Sequence, residues 1–422
     1  MDNESRRQMG RTDWQGVVFG ICLGALAGFQ LLKLPPVLPL LTEAYGYGRV
    51  YAGALMSVYS VAGLLLSWFV GRTLGLRGPR VLLLAAFGCL VAGNILGLIT
   101  PGNAPALLSS RLLEGIGFTV LGVVGGVVAT TSASEAHRML ATALWATWIP
   151  VGQILGTVTA IPAVATGQWK PLWWGAVALT VAAAVWGRAL AASGRPAFRA
   201  PARKPAPEGE RPAAQPTGAA NSSPLLLIAT TFALWSMQFI SFLTWLPIYL
   251  VEVQGLGAAR AATVYLVPPV LIVAFNLLTG VLLRWGWPLR LLLGGSLAAQ
   301  AAVWFLAPWT TGVASGVLSL ATYGVTSGII PTCLFALPAA LPGSGGSVAK
   351  GFAALMTGRH LGVLVGPILL GRVIAFHNGW QLATPLFGAI CMAALAAHWV
   401  LSRNLVRHRT ERSDPVATRL AA

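Results

Sequence analysis

Arg359 and His360 stand side by side within an otherwise apolar stretch, Ala354-Leu-Met-Thr-Gly358-Arg359-His360-Leu-Gly362-Val-Leu-Val-Gly366-Pro367-Ile-Leu-Leu-Gly371. A guanidinium can hold a carboxylate with two parallel hydrogen bonds. An imidazole changes charge near neutral pH. A cation in hydrocarbon costs about 2.5–3.5 kcal/mol on insertion scales, so Arg359 needs a partner or a water-filled cavity. Two readings follow: a close-packed helix whose Arg359 meets backbone carbonyls, or a cavity-lining helix whose Arg359 meets an anion. Three more charges fall in or near apolar runs: Lys33, Arg111 and Glu114. Arg111 and Glu114 are three residues apart and can pair on one helix face. That pair orients its helix, or it is a proton or anion site. Lys33 lies toward the outer end of its run, where it either snorkels to the interface or lines a cavity. Gln238, Asn276 and Tyr323 add polar groups. The surplus charge is positive, which fits a small organic or inorganic anion. The candidate solute-binding residues are Arg359, Lys33, Arg111, Gln238, Tyr323 and Asn276. The candidate proton-coupling residues are Glu114 and His360.

The elements that must position these residues are membrane helices. The chain has 422 residues, 56% of them hydrophobic and 9% charged, against about 25% charged in soluble domains. Runs long enough to cross a bilayer fall near 14–41, 49–70, 80–99, 106–130, 138–163 and 171–192. Six more fall near 225–251, 259–283, 289–306, 311–337, 347–371 and 380–402. The organisation is an N-terminal six-helix bundle over 1–192, a Pro- and Arg-rich linker over 193–224, a C-terminal six-helix bundle over 225–402 and a basic tail over 403–422. The fold class is an all-α membrane protein of twelve transmembrane helices in two pseudo-repeats.

Charge gives the orientation. Alternate loops hold either most of the Lys and Arg residues or only Arg49, Lys170, Arg260 and Arg372. The positive-inside rule then puts both termini and the linker in the cytoplasm, in a bacterial-type inner membrane. The net charge of +17 is explained this way, without nucleic acid. The linker is expected to be extended or disordered and to touch acidic lipid headgroups. Glu43-Ala-Tyr-Gly46-Tyr-Gly48 matches Glu252-Val-Gln-Gly255-Leu-Gly257, and Gly152 and Gly156 match Gly362 and Gly366. Matches at nearly one offset argue for parallel repeats. Gly16, Gly20, Gly24 and Gly28 recur every four residues, as do Gly358, Gly362 and Gly366, giving helix faces suited to close approach. Cys22, Cys89, Cys333 and Cys391 lie far apart in apolar runs and read as packing residues. No His-Glu-x-x-His, Gly-x-Ser-x-Gly or acidic metal cluster occurs in the sequence, so no metal, cofactor or enzymatic chemistry is expected.

Four motifs carry a family resemblance. Gly71-Arg72-Thr-Leu-Gly75-Leu-Arg77-Gly78-Pro79-Arg80 resembles the cytoplasmic signature loop of the major facilitator superfamily, with Gly75 near the usual acidic position. Arg111-Leu-Leu-Glu114-Gly115-Ile-Gly117 resembles the family's fourth-span motif. Gly362-x-x-x-Gly366-Pro367 resembles its Gly-Pro bend, with an altered copy around Pro150 in the fifth span. Trp245-Leu-Pro247 is similar to the cyanate/nitroimidazole and small organic-anion branches. The resemblance implies a secondary transporter working by alternating access. Gly71, Arg77, Gly78, Arg80, Gly115, Gly117, Pro150, Gly362, Gly366 and Pro367 would then be conformational. Its partners would be a small-molecule solute, membrane lipids and protons, with the chain a monomer. A drug or neutral-solute exporter and a non-transporting sensor are the alternatives.

Overall fold

The structure is a computed structural model that describes residues 12–198, 223–310, 312–340, 344–376 and 379–413. Twelve of its helices are long and apolar enough to span a membrane: Trp14–Tyr45, Arg49–Arg77, Pro79–Ile99, Ala104–Ser132, Trp148–Thr166 and Lys170–Ala192, then Pro224–Glu252, Ala258–Arg284, Leu289–Trp309, Val313–Ala336, Gly351–Ile374 and Gly379–Asn404. They are called spans one to twelve below. Most of the expected linker and tail lies outside the described residues. Alternation of the spans puts the start of span one, the end of span six, the start of span seven and the end of span twelve on one side, called the linker end; the opposite side is the far end.

Three spans depart from simple rods. The first breaks at Lys33 into Trp14–Leu32 and Leu34–Tyr45, with prolines opening the second piece. Pro35 and Pro36 lack the N–H that would continue the helical ladder. The eighth breaks before Pro268 and Pro269, into Ala258–Val264 and Val267–Arg284. The expected fifth span over 138–163 is instead two helices, Glu135–Ala146 and Trp148–Thr166, parted at Thr147 with Pro150 in the first turn of the second. The helix that carries span eleven begins at Ser344, ahead of the expected run.

The glycine ladders are contact faces. A Cβ on Gly20 would lie 2.6 Å from the Gly125 carbonyl oxygen in span four, and one on Gly28 would lie 2.8 Å from that of Trp148. A Cβ on Gly362 would lie 2.9 Å from the Ser236 Cβ, and one on Gly366 would lie 2.7 Å from the Ser241 Oγ, both in span seven. Such contacts are shorter than carbon atoms tolerate, so these backbones approach only because no side chain intervenes. The first six spans and the last six pack as two bundles. These meet where span two lies on span eleven, span five on span eight, and the outer piece of span one on span seven.

Candidate functional site

The first bundle encloses a charged cluster. Proline sets it up. The helical partner of the Leu31 carbonyl would be the N–H of residue 35, and Pro35 has none. Arg111 Nη2 donates to that carbonyl at 3.2 Å, while its Nε donates to the Leu55 carbonyl at 3.2 Å. Arg111 Nη1 donates to Glu114 Oε2 at 2.5 Å. The break also turns Lys33 inward. Its Nζ donates to Gln30 Oε1 at 2.6 Å, to Glu114 Oε1 at 3.2 Å and to Asn94 Oδ1. The Tyr59 hydroxyl sits between Glu114 Oε2 and the Gln30 carbonyl, the latter at 3.0 Å. Gln30 Nε2 donates to Thr180 Oγ1 at 3.0 Å. Lys33 Nζ also lies 4.8 Å from the centre of the Trp173 ring, and the Arg111 guanidinium 4.3 Å from that of Tyr59. Lys33 and Glu114 are 0% exposed and Arg111 1%. Two cations thus share one carboxylate in a buried site, a surplus of one positive charge.

This corrects the expectations for Lys33 and Arg111. Lys33 does not snorkel: it is buried at the break within span one, with the helix Leu34–Tyr45 between it and the far end. The donors of Lys33 and Arg111 are taken up inside the first bundle, where Arg111 also borders a small cavity of about 10 Å³.

The second bundle encloses a neutral counterpart. Gln238 Oε1 accepts from Trp304 Nε1 at 2.9 Å and from the Tyr323 hydroxyl at 2.6 Å. Gln238 Nε2 donates to Gln300 Oε1 at 2.9 Å, which also accepts from Trp235 Nε1 at 3.1 Å. Gln300 Nε2 donates to Ser327 Oγ at 2.8 Å. Gln238 and Tyr323 are 0% exposed, so these two expected solute ligands are likewise spent on internal bonds.

The seams between bundles hold the other candidates. On span eleven, Gly358 abuts the Ala229 carbonyl of span seven, and the His360 ring fills the space over Gly63 of span two. Arg359 lies on the helix side between these contacts. Leu361, two residues on and so across the helix, is 46% exposed. Arg359 is part-exposed, and no side-chain hydrogen bond or ion pair to it occurs among the described residues. Asn276 sits on the other seam, its Nδ2 donating to the Ala146 carbonyl at 3.5 Å and its Oδ1 accepting from Thr332 Oγ1 at 3.1 Å.

Of the conformational candidates, Gly78 turns the chain at φ 73° between spans two and three. Arg80 ties that turn to span six through the Ala191 carbonyl at 2.6 Å. Gly71 is open, with nothing near a would-be Cβ, and Arg77 ends span two. Gly115 lets span four touch the Tyr59 backbone, and Gly117 lets it touch span three at the Ala86 carbonyl. The Pro367 carbonyl accepts from Trp245 Nε1 at 3.0 Å. At the far end Arg49 Nη2 meets Glu252 Oε1 at 2.5 Å across the bundles, and Trp380 Nε1 donates to Glu252 Oε2 at 3.2 Å. An open cavity of about 360 Å³ beside them is lined by Glu43, Tyr47, Arg49 and Glu252.

Gln30, Tyr59, Asn94, Thr180 and Gln300 were not among the site residues read from sequence. All but Tyr59 are solitary polar residues inside apolar runs, and that was the available signal.

The chain's fold is similar to that of a structure of the nucleoside transporter NupG carrying a single substitution, with TM-score 0.72 at 13% identity, covering 92% of this chain and 99% of that one. It is also similar to a bacterial homolog of the human lysosomal transporter Spinster in its inward-facing, unoccupied conformation, with TM-score 0.71 at 12% identity, covering 94% and 99%. The Major Facilitator Superfamily multidrug transporter mfsC of Aspergillus fumigatus is 26% identical over 156 residues, which is 36% of this chain and 29% of that protein. This chain therefore aligns with under a third of that relative's length. A family model of the Major Facilitator Superfamily matches residues 19–349. A match over most of a chain folded as two six-helix bundles makes this protein a member of the Major Facilitator Superfamily: an integral membrane transporter rather than an enzyme.

Proposed function

We propose that the protein is a secondary active transporter of a small organic or inorganic anion, and that Arg359 is the residue that meets it. The observation that carries this reading is the placement of Arg359. It is part-exposed on the helix side away from the exposed Leu361 and lies between contacts with spans two and seven. Among the described residues, the one buried carboxylate of the first bundle, Glu114, is committed to Lys33 and Arg111. An arginine at that depth without an anionic side chain suits an anionic solute. Alternating access would rock the two bundles over the seams. Glu114 or His360 would take up a proton during the cycle, as symport or antiport. The linker end is the cytoplasmic side of a bacterial-type inner membrane, as the positive-inside rule requires.

The test is uptake into proteoliposomes over a panel of small carboxylates and inorganic anions, set beside nucleosides and cationic drugs. Saturable flux of at least one anion, changing with pH in wild type but not in Glu114→Gln or His360→Gln, is the expected result. Flux of nucleosides or drugs alone would favour the neutral-solute or drug reading suggested by the names of the similar proteins.

A further inference from the structure

The buried polar atoms that lack a partner gather where the bundles meet. Among the described residues eight buried side-chain nitrogen or oxygen atoms make no hydrogen bond, and four of them belong to seam residues: Gln153 Oε1 and Nε2, Thr157 Oγ1 and Ser57 Oγ. All three side chains are 0% exposed. Gly152 and Gly156 set span five against span one, the first at the Phe29 backbone and the second with a would-be Cβ 3.1 Å from the Lys33 amide nitrogen. Gln153 and Thr157 each follow one of these glycines and share a face, being four residues apart. Gln153 lies beside Tyr265, where the far-end piece of span eight ends. The Tyr265 hydroxyl gives its hydrogen to the Leu243 carbonyl at 2.8 Å, inside the second bundle. On the other seam Ser57 is one turn from Gly53, which abuts the Pro367 carbonyl of span eleven. The amides inside the bundles behave differently: Gln30, Gln238 and Gln300 are as deeply buried, and each is bonded.

We infer that Gln153, Thr157 and Ser57 bias the protein against the state seen here, in which Arg49 and Glu252 bridge the bundles at the far end. Their polar atoms lose water when the bundles meet and regain it when the bundles part. A polar group stripped of water and left without a partner works against the state that buries it. Inside a bundle such a group would destabilise the fold in every state. At a seam its cost falls on the closed state alone. The seams are thus kept weak by composition, and apolar side chains of similar size at these positions would hold the bundles together longer. The inference rests on the alternating-access reading above and is independent of which solute is carried.

The test reads wetting of position 157 in the purified full chain in nanodiscs. The reporter is Thr157→Cys, with the four native cysteines replaced by alanine. The probe is a small charged methanethiosulfonate, which reacts with a hydrated thiolate. Where opening and closing are fast, the labelling rate tracks the open population. The reporter is expected to react slowly, and faster once Glu252→Gln loosens the far end. Adding Gln153→Met, which keeps the length and removes the amide, should slow labelling about fivefold or more, with Tm kept or raised. Ser57→Ala on the other seam should slow it in the same direction and serves if Gln153→Met fails to accumulate. Ser132→Ala removes an unpartnered hydroxyl that packs on Gly16 within the first bundle and should leave the rate unchanged. No labelling in any background contradicts parting of the bundles there, and the inference falls with it. Labelling that neither Gln153→Met nor Ser57→Ala slows, in folded protein, overturns the inference alone. Slowing by Ser132→Ala as large as that by Gln153→Met overturns the assignment to the seams.

Discussion

The two bundles carry polar cores at matching places, one ionic and one neutral. Gln238 stands 208 residues after Gln30, Tyr323 stands 209 after Glu114, and Gln300 stands 206 after Asn94. These are close to the offsets of the glycine and Glu-x-x-Gly matches. In each bundle an amide from the first helix bonds an amide from the third; Tyr323 of the fourth donates directly to Gln238, whereas Glu114 is linked to Gln30 through Lys33. The geometry of the repeat is kept while its chemistry has diverged. Where the first bundle places Glu114 between two cations, the second places the phenol of Tyr323. An ionic core can change its charge with a proton and loosen as it does so. An amide and phenol core has nothing to titrate near neutral pH and serves as a brace. The first core holds charge and the second holds none.

Glu114→Gln should show the contrast most strongly. It leaves Lys33 and Arg111 buried without a counter-charge, and breaking such a group costs about 3–5 kcal/mol. The expected outcome is a large fall in detergent-solubilised Tm or in folded yield, read by fluorescence-detected size exclusion. Gln238→Leu removes the acceptor of Trp304 and Tyr323 in the neutral core. Hydrogen bonds between membrane helices contribute about 1–2 kcal/mol at most, so its Tm should fall clearly less. Equal losses in the two variants would show that charge is not what sets the cores apart. The smallest effect is expected at the far-end pair. Arg49 and Glu252 are about one-third exposed, and exposed ion pairs contribute about 0.2–1 kcal/mol. Glu252→Gln should barely move Tm. It should raise labelling of a cysteine placed at Thr42, which lines the far-end cavity, by a membrane-impermeant maleimide. Unchanged labelling would mean that the pair does not hold the bundles together there.

Much of this was legible in the sequence, and the rest failed for identifiable reasons. Length and apolarity of the runs marked the twelve spans, because a bilayer imposes both. The spacing of Arg111 and Glu114 foretold their pairing, since three residues put them on one face. Lys33 was placed toward the outer end of its run, but the helix resumes at Leu34 and runs on to Tyr45, which leaves Lys33 deep inside the span. Gln238 and Tyr323 were read as cavity groups because sequence shows that a polar side chain sits in a span, not which neighbours satisfy it. Tyr59 gave no signal among the aromatics. Its role depends on Gly115, which brings span four against its backbone.

Whether Arg359 meets an anion is read by equilibrium binding of a transported anion to the purified chain. Wild type is compared with Arg359→Lys and Arg359→Ala, with size exclusion confirming that each is folded. Arg359→Ala should weaken binding about tenfold or more, since a charge-assisted hydrogen bond contributes about 1.5–3 kcal/mol. Arg359→Lys should restore little of it, because an ammonium cannot present the two parallel donors of a guanidinium. Unchanged affinity in folded Arg359→Ala would contradict the account and leave a neutral solute as the better reading.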